Sequence, residues 1–332
     1  MRRRHFIALA SASAALGSIG SWAQTLGPPT LGFLHSGSPG PFRVHLAAFH
    51  QGLGEAGFVE GRNLLIQYRW AEGVEGKLQM LAAELVTRGV AVLVAVGGSI
   101  SAHAAKAATS TVPILFITGT DPRHDGLVET LNRPGLNATG VYLYTNLVIE
   151  KCIEELHDLV PGAGTIAVLR RTLGPSSSSA ERQERQESDA ELMARTDVRV
   201  VVVSISGEGE FEAAFASAKQ QQAGALIVDN EALFNNRRAE LVERAAKSGL
   251  PTAYMGREYV EAGGLMSYAQ VIPEAYRQVG RYAGQILKGS RVGELPVYQP
   301  NRFELVINRN TAKALGLTIP PSLLAIADKV IG

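Results

Sequence analysis

Three short stretches of glycine and hydroxyl residues each follow an apolar, β-branched run: His35-Ser36-Gly37-Ser38, Gly97-Gly98-Ser99 and Thr118-Gly119-Thr120-Asp121. Where a strand ends and a helix begins, free backbone N–H groups and the positive end of the helix dipole favour a small anion such as a carboxylate. Glycine lets a ligand approach the backbone, and a Ser or Thr hydroxyl either donates to a carboxylate or caps the helix. Capping alone accounts for any one of these residues. Three such loops at the carboxyl ends of strands in one open sheet make a ligand crevice, with Ser36, Ser38, Gly98, Ser99, Thr118, Thr120 and Asp121 as its candidate residues. A second set, Asp229-Asn230 and Met255-Gly256-Arg257-Glu258, follows later strands. Asp229 or Glu258 would accept from a ligand ammonium, and a surface ion pair of Arg257 with Glu258 is the alternative. Five tyrosines, at 142, 144, 254, 259 and 268, supply either core or an aromatic wall with polar tips, and Tyr144 and Tyr268 join the candidate site.

Catalysis needs a nucleophile with a base, or a metal cluster, and neither shows a signature here. The chain has no G-x-S-x-G elbow, no H-E-x-x-H, no Walker loop and no G-x-G-x-x-G at its first helix. His45 and His50 lie five apart, which separates them around a helix. Cys152 is the single cysteine, so an intrachain disulfide and C-x-x-C chemistry are excluded, and its place beside Ile149, Ile153 and Leu156 on a helical pattern makes it a packing residue. We therefore expect no catalytic residue, no metal and no cofactor. The rival from another class is an α/β enzyme using Ser99 or Ser38, for which no paired base is visible.

The elements that must position these loops alternate. Thr30 to Leu34, Leu64 to Arg69, Val90 to Val96 and Ile114 to Ile117 read as strands, separated by helices over Phe42 to Ala56, Lys77 to Arg88 and Ser101 to Ala108. Near-continuous apolar strands between helices predict a parallel sheet covered on both faces. After an extended piece at Val141 to Tyr144, a helix carrying Ile149, Ile153, Leu156 and Val160 on one face opens a second series. Its strands are Thr165 to Leu169, Val198 to Val203, Ala225 to Val228 and Thr252 to Met255. The charged stretch Ala180 to Arg195 leaves only a narrow stripe with Leu192 for the core and reads as the solvated outside of this second lobe. A helix over Pro273 to Lys288 looks like a return to the first lobe, so the chain crosses more than once and the crossings form a hinge. The expected fold class is α/β, with two doubly wound parallel-sheet lobes: 27–144 plus about 273–298, and 145–272 plus about 299–332.

Residues 1–23 read as a signal peptide. Arg2, Arg3 and Arg4 precede an apolar run from Phe6 to about Ile19, and Ser21-Trp22-Ala23 offers a small-x-small cleavage site before Gln24. Twin-arginine and Sec routes both fit these charges. No cysteine sits at the cleavage point to take an N-terminal lipid, so the mature chain is expected to be soluble, periplasmic and not membrane-anchored. A formal net charge of +1 argues against a nucleic-acid partner, and we expect a monomer.

Several longer stretches resemble one family. Thr118-Gly119-Thr120-Asp121-Pro122 with Gly126-Leu127-Val128, the run from Arg133-Pro134-Gly135-Leu136-Asn137 to Val141, and the run from Arg257-Glu258-Tyr259 to Met266-Ser267-Tyr268 are similar to ABC-transporter substrate-binding proteins of the tryptophan/tyrosine type, as is the tail from Phe303 to Ile319-Pro320. The resemblance spans about Thr30 to Val330. It implies a type I periplasmic-binding-protein fold that closes on a small organic ligand, an amino acid or aromatic compound, and delivers it to the membrane subunits of an ABC importer. It further implies that Gly98-Ser99 and Thr118 to Asp121 hold an α-carboxylate while an acidic residue holds the ammonium. One departure stands out: where the family commonly has an Asn-Pro-rich loop after the first strand of lobe two, this chain has Arg170-Arg171-Thr172-Leu173-Gly174-Pro175. The same resemblance is compatible with a sensory role, in which the closed form docks on a membrane receptor.

Overall fold

The computed structural model describes residues 27–174, 179–195 and 197–332; the expected signal peptide lies outside them. The first lobe runs β1 (Thr30–His35), α1 (Arg43–Glu55), β2 (Leu65–Trp70), α2 (Leu78–Thr87), β3 (Val92–Val96), α3 (Ser99–Ala108), β4 (Ile114–Thr118) and β5 (Ala138–Tyr142). These five strands form one parallel sheet in the order β2-β1-β3-β4-β5. All five residues of β3 and of β4 are buried, as continuous apolar strands covered on both faces must be.

The second lobe continues with α4 (Thr145–Leu159), β6 (Thr165–Arg171), α5 (Ser179–Arg195), β7 (Arg199–Ile205), α6 (Phe211–Gln220) and β8 (Ala225–Val228). Next come α7 (Ala232–Asn236), α8 (Arg238–Ser248), β9 (Thr252–Tyr254), α9 (Arg257–Glu261) and β10 (Met266–Gln270). The chain then enters α10 (Ile272–Leu287), which packs on α1 and belongs to the first lobe's core through Tyr276, Val279 and Ala283. It returns as β11 (Phe303–Asn308), followed by α11 (Arg309–Ala314), α12 (Pro321–Ile326) and β12 (Lys329–Ile331). The second sheet has the order β12-β11-β10-β9-β8-β6-β7. Both lobes are α/β with largely parallel sheets, in agreement with the expected fold class.

One pair departs from parallel. Strand β11 runs antiparallel to β10, because β10 ends and β11 begins at the same crossing point, where the Val271 N–H donates to the Arg302 carbonyl at 3.3 Å. Among the described residues the chain crosses between lobes three times: through Leu143–Tyr144, through Val271, and between Tyr298 and Phe303. The first and last of these are tied together, since the Tyr142 N–H donates to Tyr298 O at 3.0 Å and the Tyr298 N–H donates to Gly140 O at 2.8 Å. Short parallel crossings of this kind permit bending between lobes while each core stays packed. Tyr144, at the first crossing, adopts the left-handed region (φ 46°) and packs its ring on Tyr142 at 4.5 Å between centroids.

Candidate functional site

The carboxyl ends of the strands from both lobes face one another across a cleft. Its polar chamber encloses about 740 Å³ including the part open to solvent, and is lined from lobe one by Gly98, Ser99, Gly119 and Thr120. From lobe two it is lined by Arg171, Arg185, Ser188 and the run Asp229-Asn230-Glu231. Gly98, Gly119, Thr145 and Asn230 also border a second chamber toward the crossings, whose walls are largely apolar: Phe42, Ile117, Leu143, Met255, Ile272 and Tyr276, with His45 and Glu258.

Local sequence explains the lobe-one wall. Gly98 (φ 113°) permits the turn that starts α3 directly after β3, and the first residues of this ten-residue helix, Ser99 and Ile100, line the chamber. Ser36 is tied to the neighbouring loop, its hydroxyl donating to Gly97 O at 2.6 Å. The Ser38 N–H donates to Asn236 Oδ1 in lobe two at 3.1 Å, so it serves closure between the lobes and does not line either chamber. Thr118 is fully buried and bonds Thr120 between hydroxyls at 2.8 Å; the Thr120 hydroxyl donates onward to Asp125. Asp121 turns away from the chambers to Arg123, accepting from its backbone N–H at 2.9 Å and from its guanidinium. Burial pushes the Asp121 carboxyl up, but the Arg123 bonds outweigh it and hold it below the usual carboxylate range.

On the lobe-two wall, Asp229 is buried and accepts from the Asn230 N–H at 2.7 Å, with Arg170 Nε at 3.3 Å from its other oxygen. Arg170 is itself almost fully buried and also pairs with Asp189 of α5. Burial raises the carboxyl of Glu231 above its ordinary value despite Arg171 and Arg185 nearby. The departure that begins with Arg170-Arg171 at the end of β6 thus borders the cleft through Arg171 and Leu173. Helix α5 was expected to be a solvated outer face around a Leu192 stripe. Leu192 is buried, but Arg185 and Ser188 on the same helix line the cleft and Asp189 pairs with Arg170 at the end of β6, a correction that follows from α5 packing against α4 and β7.

Three further candidate residues, Arg257, Tyr268 and Tyr144, sit elsewhere. Arg257 is spent on Glu261 at 2.8 Å and Glu304 at 3.0 Å, outside both chambers. Tyr268 stacks on Phe303 at 5.9 Å within lobe two. Tyr254 and Tyr259 stack on each other in that lobe's core, and Tyr144 stays at the crossing. Glu258 does reach the apolar chamber, where it meets His45 of lobe one at 3.2 Å. Burial pushes Glu258 up, but the bond and charge of His45 outweigh it and hold its carboxyl below the usual range.

The residues that pattern reading missed are His35, His45, Phe42 and Tyr276. His35 Nε2 lies 3.0 Å from the Tyr276 hydroxyl, and its Nδ1 accepts from the Gly37 N–H at 2.8 Å. His45 stacks on Tyr276 at 5.1 Å. Only Tyr276 carried a signal, as a polar-tipped aromatic on a helix returning from the other lobe. Among the described residues no group of three or more His, Cys, Asp and Glu side chains is placed to hold a metal, and no helix is long and apolar enough to cross a membrane.

A family model described as ABC transporter substrate binding protein matches residues 43–331. A tyrosine-binding protein of Clostridioides difficile is 27% identical over 269 residues, 81% of this chain and 75% of that protein. Among solved structures, a conserved domain protein from Vibrio cholerae superposes with a TM-score of 0.81 at 24% identity, covering 91% of this chain and 99% of that one. An ABC domain in complex with L-Trp from Streptococcus pneumonia gives 0.80 at 24% identity, covering 92% and 100%. A ligand-free, open substrate binding protein with adhesive properties from Clostridium difficile gives 0.63 at 23% identity, covering 91% and 99%.

Proposed function

The chain belongs to the family of ABC transporter substrate binding proteins, and from that premise we propose that the solute it captures is an α-amino acid with an apolar or aromatic side chain. The observation that carries this reading is the division of the cleft. The polar chamber juxtaposes anion donors at the start of α3 with the acids Asp229 and Glu231, which suits a zwitterionic head group. The adjoining chamber of Phe42, Ile117, Met255 and Tyr276 suits an apolar side chain, and the four shared residues make the two chambers continuous. The tyrosine-binding relative supports the same class. Capture is binding without chemistry, and the protein works outside the inner membrane after export, which the arginine-led apolar N-terminus supports.

Ligand that touches both lobes stabilises the closed arrangement only through its greater affinity for that arrangement. A dissociation constant on the order of micromolar corresponds to about −8 kcal/mol. Calorimetric titration of the purified protein with the L-amino acids tests the proposal. We expect saturable one-to-one binding confined to apolar and aromatic members, weakened several-fold by Ser99→Ala. Absence of binding by every apolar and aromatic amino acid refutes it.

A further inference from the structure

We propose that Arg185 and Ser188 of α5 receive the ligand's carboxylate from the lobe-two side, so that one anionic group is held by both lobes at once. The inference rests on the reading of the cleft as a site for a small carboxylate-bearing molecule. Among the described residues, Arg171 and Arg185 line the polar chamber and Arg170 lies behind it, and the two that leave β6, Arg170 and Arg171, have close partners. Arg170 pairs with Asp189 and Asp229, and Arg171 Nη1 donates to Glu75 of lobe one at 2.8 Å. Arg185 differs. Its nearest carboxylates form looser ion pairs with it, Glu231 at 3.6 Å from Nη2 and Asp229 at 4.0 Å from Nη1. Its Nη1 is buried with no hydrogen-bond partner among the described residues. Ser188 lies three residues on, hence on the same helix face, and its buried hydroxyl also has none. Both residues line the chamber that Ser99 and Thr120 line from lobe one.

Buried donors without acceptors are uncommon because each forfeits its bond to water. A guanidinium and a hydroxyl sharing this deficit on one wall define a seat for an oxyanion. A carboxylate has two oxygens and about four lone-pair sites. The start of α3 satisfies some of them, and the rest match a guanidinium fork. Only the closed arrangement brings both donor sets to one group, so the carboxylate itself favours closure.

The test uses the purified full chain and three probes: L-tryptophan, L-tryptophanamide and indole-3-acetate. These are respectively the zwitterion, the same molecule without the carboxylate charge, and the carboxylate without an ammonium. Calorimetry on wild type is expected to show at least about a tenfold preference for L-tryptophan over its amide, the scale of one charge-assisted hydrogen-bond set. Arg185→Gln is expected to cut that preference to about threefold or less with little change in amide affinity, and Ser188→Ala to reduce it partway. Thermal melts establish that each variant is folded, and Ser188→Ala carries the test if Arg185→Gln is not. Variants that keep the full preference overturn the proposal while leaving amino-acid capture intact. If indole-3-acetate binds and L-tryptophan does not, and Arg185→Gln abolishes that binding, the amino-acid reading fails and the carboxylate seat stands. Binding of none of the three, nor of any other apolar or aromatic amino acid, overturns both.

Discussion

Two glycines in α1, two residues apart, are predicted to respond to the same substitution with opposite signs. Gly52 is buried where α1 crosses α10, and a Cβ added there would stand 2.0 Å from the Arg277 carbonyl oxygen and 3.0 Å from the Arg281 nitrogen. Both are backbone atoms, so no side-chain rotation relieves the overlap; the helices must part by on the order of 1 Å to regain ordinary contact distances. Overpacking of this kind costs about 1–3 kcal/mol, and backbone opposition places Gly52→Ala near 3. Alanine's better helix propensity returns about 1 kcal/mol, so the overlap wins by about 2 kcal/mol. Gly54 has no heavy atom within 4 Å of an added Cβ and is exposed, so Gly54→Ala keeps only the propensity gain, up to about 1 kcal/mol. At about 2–4 °C per kcal/mol for chains of this size, Gly52→Ala should melt about 4–8 °C below wild type and Gly54→Ala slightly above it. The pair also has a functional consequence. Arg277 follows Tyr276, which forms the floor of the apolar chamber with His45 of α1, so parting the helices should weaken ligand binding in Gly52→Ala alone. Differential scanning calorimetry reads the stability. Equal melting temperatures for Gly52→Ala and wild type would refute the close-crossing argument.

The pair His45–Glu258 joins the lobes, so Glu258→Gln should weaken ligand affinity about fivefold, the equivalent of about 1 kcal/mol. An unchanged dissociation constant by calorimetry would show that the pair plays no part in closure. Because the folded-state carboxyl of Glu258 lies below its ordinary 4.5, its stabilisation is full at neutral pH and is lost as acid protonates it, so the melting difference between wild type and Glu258→Gln should shrink in acid. His35 is buried and held neutral, its ordinary value of 6.5 lowered to about 3 by burial and then by the charge of His45. The unfolded chain therefore binds the extra proton first, and stability should fall by about 1.4 kcal/mol per pH unit as pH drops below 6.5, until about 3. His35→Gln should flatten that slope in urea titrations run at stepped pH, and an identical slope would count against the assignment. Cys152 is wholly buried, with its thiol pushed up to about 12 by burial, so an aromatic disulfide reagent should label it only after denaturation. Rapid labelling of the native protein would contradict its packing.

Periodicity and turn chemistry are local, and what depends on them was legible in the chain itself. The apolar runs at β3 and β4, the helical stripe of Ile149, Ile153 and Leu156, and the crossing helix with Tyr276 and Val279 each carry their burial pattern in a dozen residues or fewer. The loops Gly98-Ser99 and Asp229-Asn230 were equally visible, because strand ends in an open sheet converge whatever the rest of the fold does. Which side chains face the cleft from those ends was settled by contacts between distant segments. Asp121 is drawn off by a neighbour, Arg123, that competes for the same carboxylate. Arg257 is drawn off by Glu304, which β11 brings alongside β10 only after the excursion through lobe one. His45 meets Glu258, and Glu75 meets Arg171, across separations no local pattern encodes. The charged helix α5 shows the difference most directly: its composition specified a mostly solvated surface, while packing against α4 and β7 placed Arg185 and Ser188 at the cleft. Backbone periodicity fixes which face of an element is apolar, but the partner of each polar side chain depends on three-dimensional proximity, and that exists only once the two lobes have folded and met.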